Sequence, residues 1–228
     1  MMFRDEADII EKCLDHWYAL GVRNFYLCDN TSVDGSGEIV EKWLRGNLAD
    51  GDWTLVRAEE TDWPGRRIIN LLKITALRCG CNFIFPADAD EFLELPYEYR
   101  SVQEWAEALG VPDGYGELPY LNILPDGRSY WQDPHCKAFG WITEKQMISM
   151  GNHIIEGKKP SVDPLGAYYR HYSLRSFEQW KKKMENYMIA FHQTEHKSHP
   201  HAIDYLIWKE RGEPFLRERW EGIINMVL

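Results

Sequence analysis

The run Asn82-Phe83-Ile84-Phe85-Pro86-Ala87-Asp88-Ala89-Asp90-Glu91-Phe92-Leu93 decides how this chain folds. Its apolar start, closed by a proline, reads as a strand over Asn82–Pro86 that discharges into Asp88-Ala89-Asp90-Glu91. Three acids in four residues exceed what a polar turn needs. In extended chain, residues two apart point to the same side, so Asp88 and Asp90 would both face one ligand. Open parallel sheets gather ligands at the carboxyl ends of their strands, which is where this loop falls.

Upstream the chain alternates strand and helix. Met1–Arg4 is a stub of strand. Ala7–Leu20 carries Ile9, Ile10, Cys13, Trp17 and Leu20 at helical spacing, with Gly21 as its stop. Asn24–Cys28 is an apolar strand that runs into a second acidic loop, Asp29-Asn30-Thr31-Ser32-Val33-Asp34-Gly35-Ser36. Glu38–Leu44 reads as a helix, Trp53–Arg57 as a strand and Ile68–Arg78 as a helix. Strands separated by helices of this length form right-handed βαβ units and a mostly parallel sheet, an α/β architecture flanked by helices.

Downstream the rhythm changes. Ser101 and Glu104 form a capping box that opens a helix over Val102–Leu109. Short strand-like pieces follow at Leu118–Leu124, Lys137–Ile142 and His153–Ile155, with a turn at Asp126-Gly127. Ala167–Tyr172 reads as a last strand. Ser176 then caps a helix through about Phe191, and the tail Ala202–Leu228 is amphipathic and helical, broken at Gly212 and Pro214. With no internal repeat or low-complexity linker, one mixed domain over 1–228 is the expectation: a ligand-binding half (1–100), a second half (101–191) and a helical tail (192–228).

Composition narrows the class. The chain has 228 residues, 44% of them hydrophobic, enough for a sizeable core. Its 26 basic against 36 acidic residues give a net charge of −10, the wrong sign for broad phosphate neutralisation, so a nucleic-acid partner is not expected. No apolar run approaches the roughly 20 residues of a membrane span. Five cysteines (Cys13, Cys28, Cys79, Cys81, Cys136) lack zinc-type spacing and fit a reducing, cytoplasmic setting. Gly35-Ser36-Gly37 is only half a dinucleotide fingerprint, and no Gly-Lys-Ser/Thr phosphate loop exists.

For two carboxylates to accept a diphosphate beside them, Mg²⁺ or Mn²⁺ must sit between. Such an ion also stabilises a nucleoside diphosphate as it departs. In that light, four stretches become informative together: Phe-Arg-Asp-Glu-Ala-Asp (3–8), Ala-Leu-Gly-Val (19–22), Asp-Asn-Thr-Ser-Val-Asp-Gly-Ser (29–36) and Asp-Ala-Asp-Glu-Phe-Leu (88–93). With Gly-Asn-His (151–153) and His-Tyr-Ser-Leu-Arg-Ser-Phe-Glu-Gln-Trp-Lys-Lys-Lys (171–183), they resemble, in order, the motifs of family 2-like glycosyltransferases. That resemblance implies a GT-A fold with a Rossmann-like sheet and a nucleoside-diphosphate sugar donor. The acceptor would be a glycan or other hydroxyl, and transfer would invert the anomeric centre.

By the same resemblance, Asp29, Asn30, Asp34, Asp88 and Arg175 would bind the nucleotide. Asp90 and His171, with His153 as the second histidine, would ligate Mn²⁺ or Mg²⁺. An inverting displacement needs a carboxylate base, for which Asp133, Glu144 and Asp163 are the candidates. Two other classes stay open. A sugar nucleotidyltransferase would release pyrophosphate, and a non-catalytic glycan- or nucleotide-binding module would bind without turnover. Lys181–Lys183 reads as a solvated helix face and leaves peripheral membrane contact open. His192, His196, His199 and His201 read as a solvated loop. Tyr115, Tyr120, Tyr130, Trp131 and Trp141 are candidates for sugar stacking, whereas Trp17, Trp43, Trp105 and Trp180 sit at core spacing.

Overall fold

Phe25–Asp29 (β2) is buried along its whole length, as a strand covered on both faces must be. In the computed structural model, which describes residues 1–58, 65–110, 114–191 and 200–225, it is the centre of a parallel sheet of order β1-β2-β3. Met2–Phe3 (β1) pairs with Cys28 and Asp29, and Trp53–Arg57 (β3) runs in register from Phe25↔Trp53 to Asp29↔Arg57. The crossovers are Ile10–Ala19 (α1) and Ser36–Asn47 (α2). α1 buries Ile10, Cys13 and Trp17 of the expected face and Leu14 beside them, an i, i+3, i+4, i+7 stripe, whereas Leu20 is only half-buried. Gly65–Arg78 (α3) packs Ile68, Leu72 and Ala76 against Tyr26 and Cys28 of β2.

The expected strand over Asn82–Pro86 is reduced to one bridge, in which the backbone groups of Ile84 exchange both hydrogen bonds with Gly140. Phe83 and Phe85 are drawn instead into an aromatic cluster with Trp17, Trp105, Phe139 and Trp141, at ring separations of 4.6 to 6.3 Å. Gly140 makes the bridge sterically feasible. Its φ is +131°, and a Cβ there would lie 2.7 Å from the Gly114 carbonyl.

Regular pairing resumes at Glu91–Glu94 (β4), the edge of a four-stranded sheet. Val102–Leu109 (α4) follows β4 in the chain, capped by Ser101 as expected, with the Glu104 N–H donating to the Ser101 hydroxyl at 3.2 Å. Tyr115–Ile123 (β5) and Ser129–Gly140 (β6) follow, joined through the turn at Asp126-Gly127. Tyr168–His171 (β7) runs antiparallel to β4 with Glu91 opposite His171, in the sheet order β4-β7-β5-β6. The short strand expected at His153–Ile155 is a single bridge from Ile155 to Ile148.

The described residues divide into two compact units: 1–58, 65–110, 114–121 and 131–171, and 122–130, 172–191 and 200–225. The second carries Phe177–Phe191 (α5), Pro200–Arg211 (α6) and Glu213–Asn225 (α7), around buried Trp180, Met184, Trp208 and Leu216. Lys181 is not simply solvated: its ammonium meets Glu213 at 3.0 Å. Among the described residues, no helix is long and apolar enough to cross a membrane. His192, His196 and His199 lie outside the described residues, as does the side chain of His201.

Candidate functional site

The loop after β2 is laced to the loop after β1. The Asp5 N–H donates to the Ser32 hydroxyl, the Glu6 N–H to the Ser36 hydroxyl at 2.8 Å and the Ala7 N–H to Asp34 at 3.0 Å. In return the Val33 N–H donates to Asp5 at 2.8 Å. Asp34 therefore spends its carboxylate on Ala7 and Ser36, as the pin of the loop. Asp29 is buried and accepts from the Ser32 N–H at 2.8 Å, with the Arg57 guanidinium 4.0 Å away. Gly37 opens α2 so close to it that a Cβ would stand 2.6 Å from the Asp29 carboxylate. Asn30 is buried too, and its side-chain carbonyl has no hydrogen-bond partner. An orphaned buried acceptor of this kind is rare in a folded chain and marks a place for a donor group.

The second acidic loop departs from its expected geometry. Asp88–Glu91 is a turn, closed by the Glu91 N–H on the Asp88 carbonyl at 3.3 Å and the Asp88 N–H on the Glu91 carboxylate at 2.8 Å. Asp88 and Asp90 consequently meet different groups. Asp88 receives the Lys137 ammonium and the Asn152 amide. Asp90 lies 3.9 Å from the His171 Nε2. The register of β4 on β7 places Glu91 beside the same histidine. Ligand atoms of Asp90, Glu91 and His171 all lie within 4.8 Å of one another. The Tyr120 ring stacks on His171 at 4.7 Å, and its hydroxyl donates to Glu91 at 2.7 Å.

Lys137 is the hub. It is 2% exposed, and its ammonium reaches Asp88, Glu91 at 3.0 Å and the Gly151 carbonyl at 3.0 Å. Burial works against its charge, but Asp88 and Glu91 outweigh that and hold it protonated above the usual lysine range. Burial pushes the Glu91 carboxyl up to about 7, with the ammonium pulling the other way and Asp88 and Asp90 adding to the rise. Burial likewise raises the thiol of Cys13, which points at the Asp88 and Glu91 carbonyls. With all three acids ionised, the cluster carries a net charge of −2. One imidazole and buried carboxylates around such a charge form a donor set that suits Mn²⁺ or Mg²⁺.

The other candidates fall elsewhere. His153 is not in the converging group; its Nδ1 meets the Cys136 carbonyl at 2.6 Å, and Glu91 takes the third place instead. Glu144 pairs with Arg78 at 3.3 Å on the surface, and Asp163 accepts from the Leu165 N–H at 2.7 Å in an exposed turn. Asp133 lies on β6, its side chain outside the described residues. Arg175 donates to the Tyr172 carbonyl at 3.1 Å in the second unit. Of the aromatics, Tyr115 and Tyr120 are buried, Trp141 packs edge-on against Phe83, and Trp131 is exposed. Sequence reasoning passed over Lys137, although a lone lysine in Cys136-Lys137-Ala138-Phe139 was a visible signal.

No protein-family model and no curated protein matches this sequence. Among solved structures, the chain is similar to S. aureus TarS 1-349, determined in complex with UDP. The identity is 14%, the match covers 96% of this chain and 76% of that one, and the TM-score is 0.42. A likeness that distant assigns no activity, so the residues themselves must carry the reading.

Proposed function

We propose that this chain is a metal-dependent glycosyltransferase that moves a hexosyl or related sugar from a nucleoside-diphosphate sugar to a hydroxyl acceptor, with inversion. The observation that carries the reading is the convergence of Asp90, Glu91 and His171 where β4 meets β7, in the same unit as the Asp29–Asn30 cradle. Asp29 and the orphaned Asn30 carbonyl would accept hydrogen bonds from the nucleotide. Asp88, set by Lys137 and Asn152, would face the ribose and diphosphate. Asp90 and His171 would hold Mn²⁺ or Mg²⁺, which when bound offsets charge on the diphosphate leaving group. For the acceptor proton, Asp133 is the first base to test, because Glu144 and Asp163 already serve an ion pair and a turn. The five unpaired cysteines suit a reducing cytoplasm.

The test is nucleoside-diphosphate release from a panel of nucleotide sugars with Mn²⁺. Turnover should depend on the metal and fall by at least a hundredfold in Asp90→Asn, while the metal-free melting temperature stays within a few degrees. Turnover that survives in that variant removes the assignment. The commitment of Glu144 and Asp163 elsewhere favours one second reading, a binding module. Saturable binding of a nucleoside diphosphate with no release from any donor would establish it.

A further inference from the structure

We infer that Lys137 is a positioning residue: a fixed internal cation that holds Asp88 and Glu91 together and limits the cluster to one divalent ion. The inference rests on the metal reading above and goes beyond it. Three carboxylates and an imidazole could supply ligands for two ions, since paired-metal sites need little more than shared carboxylates. Here the place between Asp88 and Glu91 is already filled by the ammonium, 3.0 Å from Glu91 and hydrogen-bonded to Asp88.

The Gly151 carbonyl takes up the remaining hydrogen-bonding capacity of that ammonium at 3.0 Å. An ammonium has three protons to give, and these three acceptors account for them. At 2% exposure, Lys137 has neither a spare donor nor access to a substrate, so it acts through the acids it touches. Its charge also fixes the count. With Lys137 in place the ionised cluster stands at −2, which one divalent ion cancels. Without it the cluster stands at −3, which one ion does not.

A lysine present only to stabilise the fold makes a different prediction from one that sets this charge. Mn²⁺ alone is titrated into the full-length chain, with free Mn²⁺ followed by electron paramagnetic resonance, and fold is checked by circular dichroism and melting. The wild type should bind one ion. Asp88→Asn, which keeps Asp90, Glu91 and His171 but leaves Lys137 over-compensating, should weaken binding on the order of tenfold. The double variant Lys137→Met with Asp88→Asn returns the cluster to −2 and should restore affinity to within about threefold of wild type.

Lys137→Met alone should bind a second ion or hold the first at least tenfold tighter. Should that variant not fold, the comparison of Asp88→Asn with the double variant still decides. A double variant no tighter than Asp88→Asn overturns the inference, as does Asp88→Asn binding like wild type. A wild type that binds no Mn²⁺ at millimolar concentration overturns the metal reading itself, and this inference with it. Those patterns cannot be mistaken for one another.

Discussion

Gly37 and Gly46 lie in the same helix, α2, yet alanine at the two positions should move stability in opposite directions. Neither has a positive φ, so each substitution gains helix propensity, up to about 1 kcal/mol. At Gly46 a Cβ meets nothing within 4 Å, and the gain should appear as it stands. At Gly37 the Cβ would stand 2.6 Å from the Asp29 Oδ2, and ordinary contact requires roughly 0.8 Å more. Asp29 is a short, buried side chain anchored by the Ser32 N–H at 2.8 Å, so a shift of that size breaks the anchor. A hydrogen bond to a charged group contributes about 1.5–3 kcal/mol. Net of the propensity gain, Gly37→Ala should therefore destabilise by about 0.5–2 kcal/mol, and Gly46→Ala should stabilise by up to about 1. Chemical denaturation of the metal-free chain, with equal slopes checked, measures both. If Gly37→Ala proves as stable as Gly46→Ala, the close approach that frames Asp29 does not exist.

Lys73 of α3 donates to the backbone carbonyls of Thr143 at 3.2 Å and Glu144 at 3.1 Å, and also to that of Gln146. Lys73→Met strands these acceptors and should cost about 2–4 kcal/mol, read by urea unfolding; a loss under 1 kcal/mol would refute that role. Glu91 gives a pH signature. Its carboxyl titrates near 4.5 when unfolded and is pushed up to about 7 when folded, chiefly by burial. Between those values the native chain holds a proton that the unfolded chain has released. Its contribution is therefore complete below about pH 4.5 and lost as pH climbs through 7. Relative to Glu91→Gln, the metal-free wild type should lose on the order of 2 kcal/mol between pH 4.5 and 7.5; parallel curves would contradict the placement of Glu91.

Local patterns carried much of the fold. The spacing of Ile9, Ile10, Cys13 and Trp17 announced the inner face of α1, and β3 spans the expected Trp53–Arg57. Ser101 and Ser176 cap the helices that their positions promised. What failed depended on partners far away in sequence. Phe83 and Phe85 have the look of a strand, but rings from α1, α4 and β6 offered a better burial than a backbone ladder did. In extended chain Asp88 and Asp90 would share a side, whereas reciprocal hydrogen bonds between Asp88 and Glu91 curl them into a turn. The candidate cluster was legible at Asp90 and His171 because the motifs that resemble a known family run through both. It was illegible at Lys137 and Tyr120, whose importance comes from the sheet order β4-β7-β5-β6, which no local pattern states.

The pairing of Glu91 with His171 joins two points eighty residues apart by nothing more than strand alignment. Alternation along a strand has no intermediate setting, so sliding β7 by one residue would turn the imidazole to the opposite face. Ion capture at the proposed site would thus double as a proofreading signal. Nascent or misaligned polypeptide, lacking the closing strand, would offer scattered acids of ordinary weakness. Only the finished alignment would confer an affinity worth measuring, which makes a paramagnetic ion a reporter for the last step of assembly.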